Sequence, residues 1–320
     1  MKKTTIRKLN ISLIPCMILF ILNTNLWGQE NPDSNSGFSG KIAIGSRMKI
    51  SESQDNDDTI RTLDGSGNDT EIKFKPLISG KLSYKLKNSK TKFYISKKHS
   101  LKFKIGMAQP VNDLGVLDFA LQYSRGSVWK NPYLLNIDRE DTTKETSGIL
   151  FSWNNIMESN VRGSYSFTRV DIDDDVLGNT NPDLRRSGYL HTLGAEYQIF
   201  LNQTNFFTPS FNLARGEMEG DVFSFNSMEL AGKYTYLNPS FMMNFKLSYE
   251  IKKYDQMHPI FNQTREDDTL DAMLVVTKFN PLGFEHICLT AFTGISSTDS
   301  NIDFYDEQSL QIGVELGYQF

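Results

Sequence analysis

The sequence is poor in cysteine and has no long apolar run, and each absence removes a class of protein. Two cysteines occur in 320 residues. Cys16 lies in an N-terminal segment that we expect to be removed, so Cys288 would be alone in the mature chain and no internal disulfide could form. A small secreted protein held by disulfides is therefore excluded. The main apolar stretch, residues 11–22, is shorter than the ~20 residues that a membrane-spanning helix needs.

Histidine is also scarce, which limits the enzymatic chemistry that the chain could perform. The four histidines are His99, His191, His258 and His286. His258 follows Asp255 and precedes the acidic run at 266–268, within a predicted surface loop at 254–268. A histidine and carboxylates on one loop leave a hydrolase as a remote alternative. Because the sequence has no GxSxG and no HExxH motif, we expect no enzyme, no catalytic residue and no cofactor.

Positive charge is in deficit once the N-terminus is removed. Four basic residues among the first eight precede the apolar run, and small and polar residues follow it, which is the order of a secretory signal peptide. We predict a cleaved signal peptide at 1–28, a short polar segment at 29–36 and one folded domain at 37–320. Loss of residues 1–28 lowers the formal net charge from −4 to −8, which argues against nucleic acid as a partner.

The chain is rich in segments in which apolar and polar residues alternate. In residues 309–320, SLQIGVELGYQF, every second residue is apolar, and Glu315 is central on the polar face. Residues 241–252 repeat the pattern, with Lys246 and Glu250 on the polar face. A slip of one residue would place these charges in lipid, at roughly 2–4 kcal/mol for each basic residue near the bilayer midplane. The pattern predicts an all-β fold, a transmembrane antiparallel up-and-down β-barrel.

Fourteen segments are predicted as strands, and twelve is the second choice if the hairpin at 91–107 is an insertion. They are 38–48, 72–86, 91–97, 101–107, 115–124, 148–154, 161–172, 189–201, 206–214, 223–237, 241–252, 270–279, 285–295 and 309–320. Short connections alternate with mostly long ones, as expected for periplasmic turns and extracellular loops. The mean hydropathy of −0.39 is compatible with a membrane barrel, because each strand averages a lipid face with a lumen face. A soluble β-sandwich, with typical strands of ~5–6 residues, is a weaker alternative.

Several segments resemble one family of bacterial outer-membrane proteins. They are GFSGKIAIGS at 37–46, QDNDDTIRTLDG at 54–65, WKNPYLL at 129–135 and the aromatic-terminated last strand. The family is the one named domain of unknown function twenty-eight sixty. The resemblance implies export to a gammaproteobacterial outer membrane and contact with its lipid and lipopolysaccharide, but it implies no activity. The last strand also resembles the C-terminal signal of barrel-assembly machinery substrates, with Tyr318 and Phe320 as its critical positions.

Lysine is concentrated in one part of the predicted barrel. Eleven lysines and no acidic residue occur from Lys73 to Lys104. The candidate pore-lining residues, all on predicted inward faces, are Lys81, Lys85, Lys102, Lys104, Asp118, Glu196, Glu229, Lys246, Glu250, Asp271 and Glu315. A basic wall attracts anions, so we predict a passive pore for small solutes and consider anions as its preferred class. A lumen balanced by its own carboxylates is the simpler alternative.

Other features allow a closed barrel with a structural or adhesive role, or remain structural background. Inward Met242, Met273 and Phe292 could fill the lumen. Loop aromatics could mediate adhesion, and the candidates are Trp129, Tyr133 and Phe261. The aspartate runs at 55–58 and 173–175 offer oxygen ligands but lack EF-hand spacing, so we expect no metal site. Cys288, predicted on an inward face with His286, is expected to be a packing residue.

Overall fold

The structure is a computed structural model that describes residues 36–65, 70–98 and 101–320. The predicted signal peptide at 1–28, and all but the last residue of the segment at 29–36, lie outside these residues. The strands are β1 (Gly37–Glu52), β2 (Thr70–Lys85), β3 (Lys92–Lys98), β4 (Leu101–Pro110), β5 (Val116–Trp129), β6 (Asp141–Asn154), β7 (Val161–Ile172), β8 (Gly188–Tyr197), β9 (Asn205–Met218), β10 (Phe225–Asn238), β11 (Phe241–His258), β12 (Gln263–Phe279), β13 (Ile287–Ser300) and β14 (Glu307–Gln319). A five-residue helix, α1 (Val176–Thr180), lies between β7 and β8. No helix in the described part of the chain is long and apolar enough to cross a membrane.

The fourteen strands form a closed antiparallel barrel, which confirms the predicted fold and excludes the count of twelve. Each strand pairs with its neighbours in sequence, and β1 pairs with β14 over the register from Lys41↔Gln319 to Glu52↔Gln308. At the end of this pairing the Gly40 N–H donates to the Phe320 carbonyl at 2.7 Å and the Phe320 N–H donates to the Gly40 carbonyl at 3.0 Å. Closure removes the open sheet edge that hydrocarbon does not tolerate.

A two-residue strand, Ile199–Phe200, continues β8 after a short break. Its pairing Phe206↔Phe200 has the same register as Ser210↔Glu196 in the main part of β8. In this register Pro209 of β9 stands opposite Tyr197. Proline has no N–H to donate, which accounts for the interruption of the ladder without a change of register.

The exterior of the barrel is apolar, and the interior is lined by small and charged polar groups. Large apolar side chains that are exposed on the outer face include Ile42, Ile44, Phe74, Ile105, Leu121, Leu193, Leu230, Leu247, Ile312 and Leu316. Buried inward residues are mostly polar, among them Ser83, Ser152, Thr168, Thr235, Ser248 and Thr277. This distribution is the reverse of that in a soluble protein and is the one expected for a transmembrane barrel.

Several strands extend beyond the apolar band, which corrects the predicted loop boundaries. On β11 the outward residues Leu247 and Tyr249 are followed by outward Lys253 and Asp255, so that His258 lies above the apolar band. The predicted loop at 254–268 is wrong, because β11 continues to His258 and β12 begins at Gln263. The predicted loop at 126–145 is likewise too long, since β5 reaches Trp129 and β6 begins at Asp141. Where both faces of a strand meet water or polar loops, the alternation that marks a strand disappears.

Candidate functional site

A packed hydrophobic cluster lies across the end of the barrel opposite Gly37 and Phe320. Its buried members are Ile60, Tyr133, Leu177, Leu184, Val222, Ile302 and Phe304, and Leu63, Phe223, Phe261 and Tyr305 pack against it. These residues come from the connections that follow β1, β5, β7, β9, β11 and β13. We call this assembly the loop cap. Apolar residues concentrated here bury surface that six separate loops could not bury alone.

Arg139 ties the connection after β1 to the connection after β5. Its guanidinium donates to the Gln54 carbonyl at 2.7 Å, the Asp57 carbonyl at 3.0 Å and the Pro132 carbonyl at 2.9 Å. It also stacks 4.4 Å from the ring of Trp129. The planar fork of five N–H donors suits this set of carbonyls. A cavity of about 330 Å³ beside it is lined by Asp58, Trp129, Asp138, Arg139 and Asp141.

The aspartate runs are engaged in the loop cap. Asp175 accepts from Arg186 at 2.6 Å, and Arg186 also donates to the Trp129 carbonyl at 2.8 Å. Asp174 forms an ion pair with Lys130 at 2.9 Å, and the hydrogen bonds of Lys130 with its two carboxylate partners raise its pKa to about 12. Within the described ranges no group of three or more histidine, cysteine, aspartate or glutamate residues is arranged to hold a metal ion. These carboxylates hold loops together.

His258 lies inside the loop cap, not on an exposed loop, and it contacts phenols instead of carboxylates. Its Nε2 lies 3.0 Å from the Tyr133 hydroxyl, which lies 2.5 Å from the Tyr305 hydroxyl. The Ile260 N–H donates to His258 Nδ1 at 3.3 Å, which assigns the proton of the neutral ring to Nε2. Burial, and then the charge of Arg265, lower the pKa of His258 to about 4.

The acidic residues that the sequence placed beside His258 have basic partners. Asp255 pairs with Arg215 at 2.6 Å, and Asp267 pairs with Arg265 at 2.8 Å. The loop aromatics that favoured adhesion are also engaged in the cap. The Trp129 Nε1–H donates to the Asp55 carbonyl at 2.7 Å, and Tyr133 and Phe261 stack edge to face. These three aromatics contribute to the packing of the cap and do not form an outward adhesive surface.

One side of the lumen, formed by β1 to β4, is basic along its whole height. Its inward side chains are Lys41, Arg47, Lys49, Lys73, Lys75, Lys81, Lys85, Lys92, Lys98, Lys102 and Lys104, with Glu71 as the acidic member. Like charges stand directly opposite one another in the ladders at five positions, which are Lys41↔Lys81, Arg47↔Lys75, Lys49↔Lys73, Lys85↔Lys92 and Lys98↔Lys102. Such pairs are unfavourable in a sheet. We call this surface the basic wall.

In the lower half of the basic wall, lysines are accompanied by aromatic and acidic groups. Lys81 and Lys104 lie 5.6 Å and 5.5 Å from the centre of the Tyr94 ring. The Tyr94 hydroxyl donates to Asp118 at 2.7 Å. Glu315, which is 6% exposed, faces Lys41 across the β1–β14 pairing. Here the predicted balance between lysines and inward carboxylates is present.

The opposite side of the lumen contains the other predicted pore-lining residues in a connected polar network. Arg162 pairs with Glu196 at 3.5 Å. Lys246 lies 3.7 Å from Glu229, which also accepts from Asn212 at 2.8 Å. Two further predicted carboxylates line this side, Glu250 beside Lys252 at 3.6 Å and Asp271 near Lys246. Lys85 and Lys102 lie on the basic wall, so all the predicted pore-lining residues face inward.

The inward packing residues also lie where the alternation placed them. Phe292 packs over Gly313 inside the barrel, and Met242 and Met273 face inward in the half of β11 and β12 that lies away from the loop cap. Cys288 is fully buried against the Gly317 backbone. His286 does not share its strand, because β13 begins at Ile287, and this part of the prediction is wrong.

The model of the family described as protein of unknown function (DUF2860) matches residues 37–319. The chain belongs to this family. The similar solved structures include a loop-deletion mutant of OmpT of Vibrio cholerae (10% identity, 89% of this chain and 100% of that chain, TM-score 0.43), a FadL homologue of Pseudomonas aeruginosa (12%, 88% and 89%, 0.40) and an anion-selective porin of Comamonas acidovorans (6%, 89% and 99%, 0.41). No curated protein matches the sequence. These similarities assign no activity to this DUF2860 protein.

The prediction of lumen residues missed part of the basic wall of this DUF2860 barrel. Lys41 and Arg47 were on the polar face of the first predicted strand, so alternation alone identifies them. The prediction omitted Lys73 and Lys75. These lysines alternate with exposed apolar residues in the first half of β2, but Pro76 interrupts the pattern. Tyr94, which connects two lysines to Asp118, has no signal in the local sequence beyond its inward position.

Proposed function

We propose that this protein is an outer-membrane channel for small anionic solutes, with a loop cap that restricts flow. The observation that supports the proposal best is the basic wall, on which like charges face one another at five positions, with Glu71 as the single acidic residue among the described inward positions of β1 to β4. A fold retains unfavourable like-charge pairs when an external partner compensates for them. Inorganic or organic anions passing the lumen would be that partner.

The outer-membrane location is part of this proposal, and the surface of the barrel supports it. A belt of exposed apolar side chains surrounds the barrel, and charged residues face the lumen instead. Lipid solvates the first group and excludes the second. The proposed partners are therefore membrane lipid and lipopolysaccharide outside, small solutes inside, and the barrel-assembly machinery during folding. The proposal contains no catalytic step and no cofactor.

The test compares ion selectivity in planar bilayers across a potassium chloride gradient. We expect a reversal potential of the sign that marks preference for chloride. The double variant Lys81→Gln, Lys104→Gln should shift that potential towards zero, because it removes two positive charges from the lumen. The matched control, Lys87→Gln with Lys90→Gln, removes two exposed lysines from the turn between β2 and β3 and should leave the potential unchanged. Cation preference in the unmodified protein would refute the proposal.

A closed structural barrel is the second candidate, and the loop cap is the observation that favours it. The cap buries aromatic and aliphatic side chains from six connections across one mouth. If the cap never opens, the lumen conducts nothing and the barrel serves the integrity of the membrane. Recordings that show no conductance steps, both in the unmodified protein and in a variant with a loosened cap, would establish this second role.

A further inference from the structure

The barrel wall is incomplete above the hairpin formed by β3 and β4. β2 pairs with β3 through residues 80–85, so residues 70–79 of β2 have a strand partner on the β1 side alone. β5 pairs with β4 up to Arg125, so residues 126–129 pair with β6 alone. Among the described residues, which omit 66–69 and 99–100, no strand fills the space between these two edges. The Lys97 ammonium donates to one of the free carbonyls, that of Ile78, at 3.1 Å.

The connections after β1 and β5 form a roof over this gap, so that the gap is an opening enclosed on all sides. The connection after β1 crosses to the connection after β5, where the Asn136 N–H donates to the Ile60 carbonyl and the Arg139 N–H donates to the Asp58 carbonyl, both at 2.7 Å. The sides are the free edges of β2 and β5, and the sill is formed by the last described residues of the β3–β4 hairpin, Lys98 and Leu101. We call this opening the lateral window.

Side-chain exposure shows that the lateral window is open to the lumen. Lys73 and Lys75 lie on the inward face of β2, yet both are exposed, whereas inward residues elsewhere in the barrel are mainly buried or half-buried. Gly126 is inward on β5, and a Cβ added there would meet no atom within 4 Å. With two strands absent at a spacing of ~4.8 Å each, the free width is roughly 10 Å. That width admits a lipid chain or a phosphate group.

The lumen side of the window is basic. Lys98↔Lys102 stand at the sill, while Lys49↔Lys73 and Arg47↔Lys75 stand at the β2 side. Arg47 is close enough to Lys102 for mutual repulsion. Among the described residues, the carboxylates at the walls are Glu71, which pairs with Lys73 at 2.6 Å, and Glu307, which interacts with Lys49. Positive charge therefore exceeds negative charge on the window walls, as a site for an anion requires.

The outer side of the window is apolar. On β2 the outward residues beside it are Ile72, Phe74 and Ile78, which are 57%, 74% and 56% exposed. Leu101, at the sill, is 49% exposed. These side chains continue the belt that faces lipid, so the window opens within the half of the membrane nearest the loop cap. An occupant must present apolar chains outwards and an anionic group inwards.

We propose that the lateral window binds a phosphate-bearing lipid of the outer leaflet, with its phosphate on Lys73, Lys75, Lys98 and Lys102 and its acyl chains along Ile72, Phe74 and Leu101. In an outer membrane the lipid of that leaflet with this chemistry is the phosphorylated lipid A portion of lipopolysaccharide. The inference rests on the outer-membrane location proposed above and not on ion conduction.

The test measures binding of bis-phosphorylated lipid A to the mature protein in phosphatidylcholine nanodiscs by native mass spectrometry. The quadruple variant Lys73→Gln, Lys75→Gln, Lys98→Gln, Lys102→Gln should weaken binding by at least about tenfold. The charge-matched control changes Lys85, Lys87, Lys90 and Lys92 to glutamine at the opposite end of the barrel and should stay within about twofold. Gly126→Trp, which keeps every charge and enters open space, should also weaken binding by filling the window.

Each possible result decides the proposal. Weaker binding in both window variants, with dephosphorylated lipid A bound poorly by the unmodified protein, supports it. Equal binding of phosphorylated and dephosphorylated lipid, equal loss in the control, or complete displacement by inorganic phosphate refutes a phospholipid-type site. A dimer cross-linked through β2 would show that a second copy covers the edge and would also refute it. If the quadruple variant lacks the heat-modifiable mobility of a folded barrel, Gly126→Trp alone decides. Gly126→Trp keeps every charge of the basic wall, so weaker binding of lipid A with unchanged ion selectivity in this variant separates the inference from the channel proposal.

Discussion

His258 is an ionisable residue, but its surroundings favour the neutral form of the side chain. It is 1% exposed and is surrounded by Tyr133, Tyr305, Phe223 and Phe261, and the charge that faces it is the guanidinium of Arg265. A protonated imidazole there would lose hydration and face a positive charge. Protonation is therefore coupled to opening of the loop cap.

The loop cap should lose stability in acid. The pKa of His258 is about 4 in the closed cap and near 6.5 when the side chain is free in water. Between these values the open cap binds a proton that the closed cap does not, so closure is fully stable above about pH 6.5 and weakens as the pH falls towards 4, by roughly 3 kcal/mol in total. In a Trp153→Phe background, acrylamide quenching of Trp129 should be stronger at about pH 4.5 than at about pH 7.5.

His258→Leu is the control for this pH effect. It removes the titrating group, so quenching of Trp129 should no longer increase in acid. Burial raises the pKa of Asp55 and of Asp306, and protonation of these carboxyls in acid favours the closed cap. The variant should therefore show no change or the opposite trend. An equal increase in quenching in His258→Leu would show that another group controls the cap.

At the scale of elements, the strands are local units while the loop cap depends on a few residues that join distant connections. Arg139 is the strongest of these joints, because its guanidinium donates to carbonyls on two connections and stacks on Trp129. Hydrogen bonds from a charged donor contribute about 1.5–3 kcal/mol each, and their loss leaves buried carbonyls unpaired. Without Arg139, the connection after β1 keeps the hydrogen bond from Trp129 to the Asp55 carbonyl and the packing of Ile60, but it loses its hydrogen bonds to a charged donor.

Arg139→Ala should release the connection after β1. We expect cleavage within residues 53–65 by an aspartate-specific protease to become at least about tenfold faster, and the fraction of time spent in conducting states in planar bilayers to increase. Arg185→Ala is the matched control, because Arg185 pairs with Glu219 at 3.8 Å on the rim and both side chains are about half exposed. Equal cleavage rates in the two variants would contradict the role of Arg139.

At the scale of the whole molecule, stability depends on closing the sheet between β1 and β14. Gly40 and Phe320 exchange two backbone hydrogen bonds, and the Phe320 ring lies over Gly40, where a Cβ would meet it. Tyr318 and Phe320 stack on the outer surface at 6.2 Å between ring centres. These contacts complete the pairing of β14 with β1 and so close the barrel.

Deletion of Phe320 should impair assembly. It removes both backbone hydrogen bonds and the aromatic surface proposed for recognition by the barrel-assembly machinery, and unpaired groups are costly in lipid. The fraction with heat-modifiable mobility on gels, and the amount exposed at the cell surface, should fall severalfold. Phe320→Tyr keeps the backbone and an aromatic ring and should assemble nearly normally. Normal mobility and exposure of the deletion variant would contradict this prediction.

Strand faces could be predicted from sequence far better than strand ends or loop contacts. The alternation in 241–252 assigned every side chain of that stretch to the correct face of β11, because a charge on the lipid face carries a large penalty at each position. It stopped six residues before His258, since strands above the membrane have no apolar face to mark them. Sequence therefore placed His258 on an open loop instead of in a buried cluster.

By itself the sequence determined the number of strands, their antiparallel order and which side chains face lipid or lumen, including Lys81 and Glu315. These properties depend on residues two apart in one segment, so a single strand contains the information. Only the tertiary structure decided that Tyr133, His258 and Tyr305 meet in one cap and that the short β3–β4 hairpin leaves a lateral window under its roof. Tyr133 is more than a hundred positions from His258 and from Tyr305, and closure of the barrel brings these residues together.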